Sequence, residues 1–345
     1  MYTIYDYLKY YKDYSLKDLK WNVMENLLLS CLVYMPLKSF EYKDYKTLIS
    51  EILESNVKDI KDLMVPKTLE IASIIKESKR YQNMKFYNFI NQVNSKTQFG
   101  AITVVLDNIK IITFRGSDRS VIGWLENFRI AYLYPTYTQQ VAIDYLNNNI
   151  NLFDNNVYIC GHSKGGNLSI VSAMELPSFK LRKIKNIYNF DGPGVRHEEF
   201  ESLKYKRIKS KIVNIIPTSS YVGALLYNEN YYVVKTSAHA INVHYPIYWN
   251  IFGIEFVKGN LSKSSLGLIK GTTTNLDKVP KDKLQEVLEE SFKIFKKRET
   301  NNIKLTLNDL KNIVKNISKM DPEISKYVSL IFSSIINIRE KNNEK

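Results

Sequence analysis

The sequence predicts an α/β fold: a mainly parallel sheet flanked by helices, with a helical lead-in before it and a helical extension after it. Three observations carry this reading. Short β-branched runs alternate with helix-patterned stretches between residues 101 and 234, as they do where parallel strands are joined by covering helices. One of those strands passes into one of those helices through a Gly-rich turn at residues 161–166. The chain of 345 residues, 44% hydrophobic and 24% charged, has the balance of a globular protein with a sizeable core.

Taken in order, apolar residues recur at helical spacing over 16–37 and again over roughly 46–75, with a polar break near 77–82. Residues 101–106 and 109–114 are two β-branched strands around Asp107-Asn108, a hairpin signal. The sheet is expected to begin there. A loop containing Trp124 follows, then a helix near 139–149, a strand at 157–160, the Gly-rich turn and a helix from Lys164 to about Met174. Further short strands are expected at 187–190, 211–216 and 231–234. Beyond Trp249 the strands are expected to stop, and 284–295, 305–317 and 324–338 have amphipathic spacing. The expected organisation is a lead-in over 1–90 packed on the core, a core over 91–255 and a helical extension over 256–345.

Composition narrows the partners. The net charge of +14 suits an anionic surface, but the lysines are scattered among many Asn, Ile and Tyr residues, as A/T-rich codons would produce, and no nucleic-acid motif is present. No nucleic-acid partner is expected. Peripheral contact with an anionic membrane stays open. Cys31 and Cys160 imply no disulfide framework. The first residues carry no secretory signal pattern, and the longest apolar stretch, 27–37, is too short to span a bilayer. A cytoplasmic setting is the default. No His/Asp/Cys cluster has metal-ligand spacing, so neither metal nor cofactor is implied.

The chemistry concentrates at Cys160-Gly161-His162-Ser163-Lys164-Gly165-Gly166. Gly-x-Ser-x-Gly after a β-branched strand and before a helix reads as a nucleophile elbow, which lifts the serine hydroxyl above the sheet edge while the glycines leave room for neighbouring backbone. Ser163 is the candidate nucleophile, and the fold class becomes α/β-hydrolase-type. The alternative is an ordinary Gly-rich turn; a phosphate loop would need a Gly-Lys-Ser/Thr ending, absent here. The backbone N–H of Lys164, opening the helix, is one candidate oxyanion donor. The second is Ser117, in Phe114-Arg115-Gly116-Ser117-Asp118 at the end of an earlier strand, through its N–H and its hydroxyl; a plain capping turn is the alternative. Asp118 reads as a turn residue.

An imidazole suits the general base, and four histidines exist. His162 precedes the serine and should point elsewhere, and His197 follows the loop after Asp191. His239 and His244 both follow the last predicted strand, where a triad histidine belongs in chain order. His244, within the aromatic run Asn242-Val243-His244-Tyr245-Pro246-Ile247-Tyr248-Trp249, is preferred, with His239 kept open. Asp191, after a strand and before Gly192-Pro193-Gly194, is the candidate acid, unless it only accepts hydrogen bonds from that turn.

In their order, Phe114-Arg115-Gly116-Ser117, Gly161-His162-Ser163-Lys164-Gly165-Gly166-Asn167-Leu168, Asn189-Phe190-Asp191-Gly192-Pro193-Gly194 and His244-Tyr245-Pro246-Ile247-Tyr248-Trp249 resemble a bacterial family of lipase-like α/β-hydrolases of unknown function, related to the class 3, fungal-type lipases. The resemblance spans roughly residues 1–300, and the elbow with Lys164 and Asn167 is its most specific part. It implies Ser163 as nucleophile and hydrolysis of carboxylic esters, lipids among them. One departure stands out. Fungal-type lipases carry the acid after the next strand, where this chain reads Val213-Asn214-Ile215-Ile216-Pro217-Thr218-Ser219-Ser220, without a carboxylate. Either Asp191 substitutes or the triad is incomplete. An esterase or lipase is therefore weighed against a catalytically weak descendant that presents its helices to a partner or a membrane.

Overall fold

The computed structural model describes residues 1–57, 62–94, 97–117, 126–127, 129–275 and 280–286. Its centre is an eight-stranded sheet in the order β1-β2-β3-β4-β5-β6-β7-β8. The strands are β1 Phe40–Asp44, β2 Lys85–Val93, β3 Gln98–Leu106, β4 Ile109–Phe114, β5 Val157–His162, β6 Ile184–Phe190, β7 Ile212–Pro217 and β8 Tyr231–Val234. The first three pairings are antiparallel, and from β4 onward all four are parallel. A mostly parallel sheet flanked by helices is the α/β-hydrolase-type architecture.

The lead-in contains α1 Ile4–Tyr11, α2 Val23–Leu32, α3 Tyr45–Glu54 and α4 Met64–Ile75. Asn22 caps α2, accepting from Met24 N–H at 2.9 Å while Glu25 reaches back to Asn22 N–H at 2.8 Å, so two orphan donors of the first turn are satisfied. Arg80 then closes the lead-in: its guanidinium pairs with fully buried Glu25 at 2.8 Å and donates to Leu19 O at 2.7 Å. A buried ion pair of this kind is sustained by such extra hydrogen bonds.

On the other side lie α5 Tyr137–Asn149 and α6 Lys164–Met174. Every residue of α6 is buried, which makes it the central helix under the elbow. Side chains alternate across the strands, as the two-residue repeat of a strand requires. Ile111 and Cys160 face the core shared with the lead-in; Ile112, Phe114, Val157 and Ile159 face the core shared with α5 and α6. Both cysteines are free and buried, and burial pushes the Cys160 thiol up to about 11.

Several sequence expectations are corrected. The sheet begins at β1, not at the β3–β4 hairpin, and the strands do not stop at Trp249: Ile251–Phe252 (β9) and Glu255–Phe256 (β10) form a small hairpin. Three short helices, α7 Ser178–Leu181, α8 His197–Glu201 and α9 Leu203–Ile208, lie between the later strands, and the 13-residue α10 Lys263–Asn275 lies within the C-terminal extension. Of the helices read beyond residue 283, only 284–286 lie among the described residues, and these are helical. Trp124 and Asp118 lie outside them. Among the described residues no helix is long and apolar enough to cross a membrane.

Candidate active site

Parallel pairing sets the site. β4 runs beside β5 with Phe114 opposite Gly161, and β5 beside β6 with His162 opposite Phe190. The segments that leave these strands, Arg115-Gly116-Ser117, Ser163-Lys164 and Asp191-Gly192, therefore emerge together at the carboxyl edge of the sheet, where ligands of open α/β sheets bind.

Ser163 occupies φ 58°, ψ −131°, a conformation few non-glycine residues adopt and one that costs about 1–3 kcal/mol. It is held there by two backbone hydrogen bonds, Ser163 N–H to Phe190 O at 3.0 Å and Gly166 N–H to Ser163 O at 2.9 Å. The flanking glycines are steric necessities. A Cβ at Gly165 would lie 2.1 Å from Phe114 O, and one at Gly161 2.3 Å from the Gly165 carbonyl carbon and oxygen.

His244 ends a 3₁₀ turn, Ala240–His244, and its Nδ1 lies 2.6 Å from Asp191 Oδ2. The other Asp191 oxygen accepts the Ser220 hydroxyl and, at 3.1 Å, the Gly223 N–H. Asp191 is thus not spent on its own turn, since the Gly192 N–H goes to Asn189 Oδ1. The loop that lacks a carboxylate after β7 supplies Ser220 to this acid instead. His239 is exposed and has no part in this array, while His197 stacks on Tyr227 with ring centroids 4.8 Å apart.

Lys164 plays two structural parts. Its backbone opens α6 beside Ser163, and its ammonium is buried, donating to Gln98 O at 2.7 Å, Gln98 Oε1 at 2.8 Å and Glu126 Oε2 at 2.9 Å. Gln98 in turn donates to Gly116 O at 3.3 Å. Ser117 lies one residue on, and its hydroxyl donates to Asn127 Oδ1 at 2.8 Å, which leaves its backbone as the candidate donor to a ligand. His162 is buried and bonded at both ring nitrogens, to Tyr34 and to His244 O. Burial, then the neighbouring His244, holds its basicity well below the usual histidine range. Among the described residues no group of three or more His, Cys, Asp or Glu side chains gathers to hold a metal.

A family model described as Mbeg1-like matches residues 75–293, more than half of the chain. The chain belongs to the Mbeg1-like family. This is a lipase-like family, and the match contains Ser117, Lys164, Ser163, Asp191 and His244 while leaving out most of the lead-in. The Mbeg1-like region is thus narrower than the span of 1–300 expected from sequence. No curated protein matches the chain. Four side chains around the site were not singled out in sequence: Tyr34, Gln98, Glu126 and Ser220. Only Ser220 left a signal, as part of the hydroxyl-rich run Thr218-Ser219-Ser220 where an acid was missing.

Proposed function

We propose that this protein is a serine hydrolase of carboxylic esters, lipid esters included, acting through an acyl-enzyme and akin in mechanism to the class 3 lipases. The 2.6 Å Asp191–His244 hydrogen bond beside the strained Ser163 elbow carries the reading. An anionic Asp191 oriented by Ser220 and Gly223 fixes the His244 tautomer with its proton on Nδ1, so Nε2 is the acceptor. His244 Nε2 takes the hydroxyl proton as Ser163 Oγ bonds to the acyl carbon. The carbonyl oxygen becomes negative and is met by the N–H groups of Lys164 and Ser117. Collapse breaks the bond to the alcohol oxygen, which leaves with the proton from His244. Water then repeats the sequence on the acyl-enzyme, releasing the acid and regenerating Ser163.

Intact-mass spectrometry after fluorophosphonate treatment tests this. One adduct is expected on the folded protein, none on Ser163→Ala, and strongly slowed formation on His244→Ala. A folded wild type that takes no adduct would refute the hydrolase reading and favour a non-catalytic descendant that binds a partner.

A further inference from the structure

The Tyr34 hydroxyl joins the lead-in to the site. Tyr34 follows α2 and is 2% exposed, and its Oη lies 3.0 Å from His162 Nδ1 across 128 positions of sequence. The same oxygen accepts the Gly116 N–H at 3.1 Å. Because the His244 carbonyl oxygen can only accept, the one proton of the neutral His162 imidazole is on Nε2, and Nδ1 is the acceptor for the Tyr34 O–H. That Nε2–H donates to His244 O at 2.9 Å. The chain of donors runs in one direction: Gly116 N–H to Tyr34, Tyr34 O–H to His162, His162 N–H to the backbone of His244.

Packing reinforces this joint. A Cβ at Gly116 would lie 2.2 Å from Tyr34 Oη and 3.0 Å from Ser163 Cβ, so the glycine is what lets the tyrosine and the elbow meet. The His162 ring lies against the His244 ring with centroids 4.5 Å apart, and the Arg115 guanidinium covers the Tyr34 ring at 5.4 Å. Burial also keeps the Tyr34 phenol protonated, well above its usual range.

We propose that Tyr34 and His162 are positioning residues, which hold the loop of Gly116 and Ser117 and the backbone of His244 in register on either side of Ser163. The inference rests on the serine-hydrolase reading and extends it to the lead-in, most of which lies outside the family match. Neither side chain transfers a proton to substrate. Their effect is geometric, and a catalytic group displaced by about 1 Å loses on the order of 100-fold in rate.

The test compares wild type, Tyr34→Phe, His162→Gln and His162→Leu, each first shown to be folded by urea denaturation. Fluorophosphonate labelling rates and steady-state hydrolysis of p-nitrophenyl butyrate are then measured. Tyr34→Phe is expected to label about 10- to 100-fold more slowly, with the loss in kcat rather than KM. His162→Gln, whose amide N–H can still reach His244 O, is expected to retain more rate than His162→Leu. A folded Tyr34→Phe that reacts within about two-fold of wild type overturns the inference alone. So does equal loss in the two His162 variants, because a merely structural role would not distinguish them. A folded wild type inert to the probe overturns the hydrolase reading and this inference with it.

Discussion

At the scale of single residues, Asp191 is the side chain on which the proposed chemistry and the architecture depend together. It is fully buried at φ 49°, in the left-handed region that Asp and Asn tolerate better than other non-glycine residues. Asp191→Asn should therefore keep the backbone while its amide presents an N–H, or a weaker acceptor, to His244 Nδ1. The wrong histidine tautomer is then favoured, and labelling of Ser163 should fall by about 10,000-fold, with the urea midpoint moved far less. Ser220→Ala removes one of the two further donors to the carboxylate and should cost on the order of 10-fold, a fraction of the Asp191 effect. Stopped-flow or time-course labelling checks both. The elbow at Ser163 and the pairing of Asp191 with His244 could be anticipated from sequence because Ser163 and Asp191 each follow the end of a strand and His244 follows the last strand of the sheet, the chain order that an elbow suggests. Tyr34 and Glu126 could not: their roles are contacts made across the fold with residues whose neighbourhood the chain order does not reveal.

At the scale of elements, the elbow works because α6 packs directly on the strands that flank it. Gly165→Ala would place a Cβ 2.1 Å from Phe114 O, a backbone atom that cannot swing aside. The helix must shift, and overpacking of this kind costs about 1–3 kcal/mol or more. The expected result is a lowered urea midpoint together with loss of the Ser163 adduct, and circular dichroism melts with labelling of the same samples check it. The strand-to-helix elements around this turn were readable because β5 is short and apolar and α6 follows at once; α6 begins and ends where its pattern predicts. β1 and β2 were missed for physical reasons. β1 is an edge strand, Phe-Glu-Tyr-Lys-Asp, with little burial, and β2 has a register shift between Tyr87 and Ile90 with Asn88 at φ 52°, so neither shows clean alternation. α10 was missed because Lys-Ser-Ser-Leu-Gly-Leu-Ile-Lys-Gly-Thr-Thr-Thr-Asn is poor in helix formers. Its hydroxyls bond back to its own carbonyls, as Thr272 does to Leu268 O at 3.0 Å, while Leu268 packs into the interior.

At the scale of the whole molecule, two cores share one sheet, and His162 is one of the titratable groups buried at the site. Its burial, and after it the neighbouring His244, hold it neutral in the folded chain, well below the ordinary value of 6.5. In the unfolded chain that imidazole takes up a proton as the pH falls through about 6.5. The unfolded state then binds more protons than the folded one, so stability falls with decreasing pH from about 6.5 downward until the depressed folded value is reached, at up to about 1.4 kcal/mol per pH unit. The opposite limb comes from acids that burial raises. Tyr34 and Tyr81 stay protonated in the folded protein well above 10.0, whereas unfolded tyrosines ionise near that value, so stability is lost again as the pH rises past it. Urea midpoints measured from pH 5 to 11 should trace a plateau between these limits. His162→Gln should flatten the acidic limb while leaving the alkaline one in place, because the amide does not titrate and the tyrosines are untouched. An acidic limb of unchanged slope in that variant would assign the loss to other groups and would show that burial does not hold this imidazole neutral.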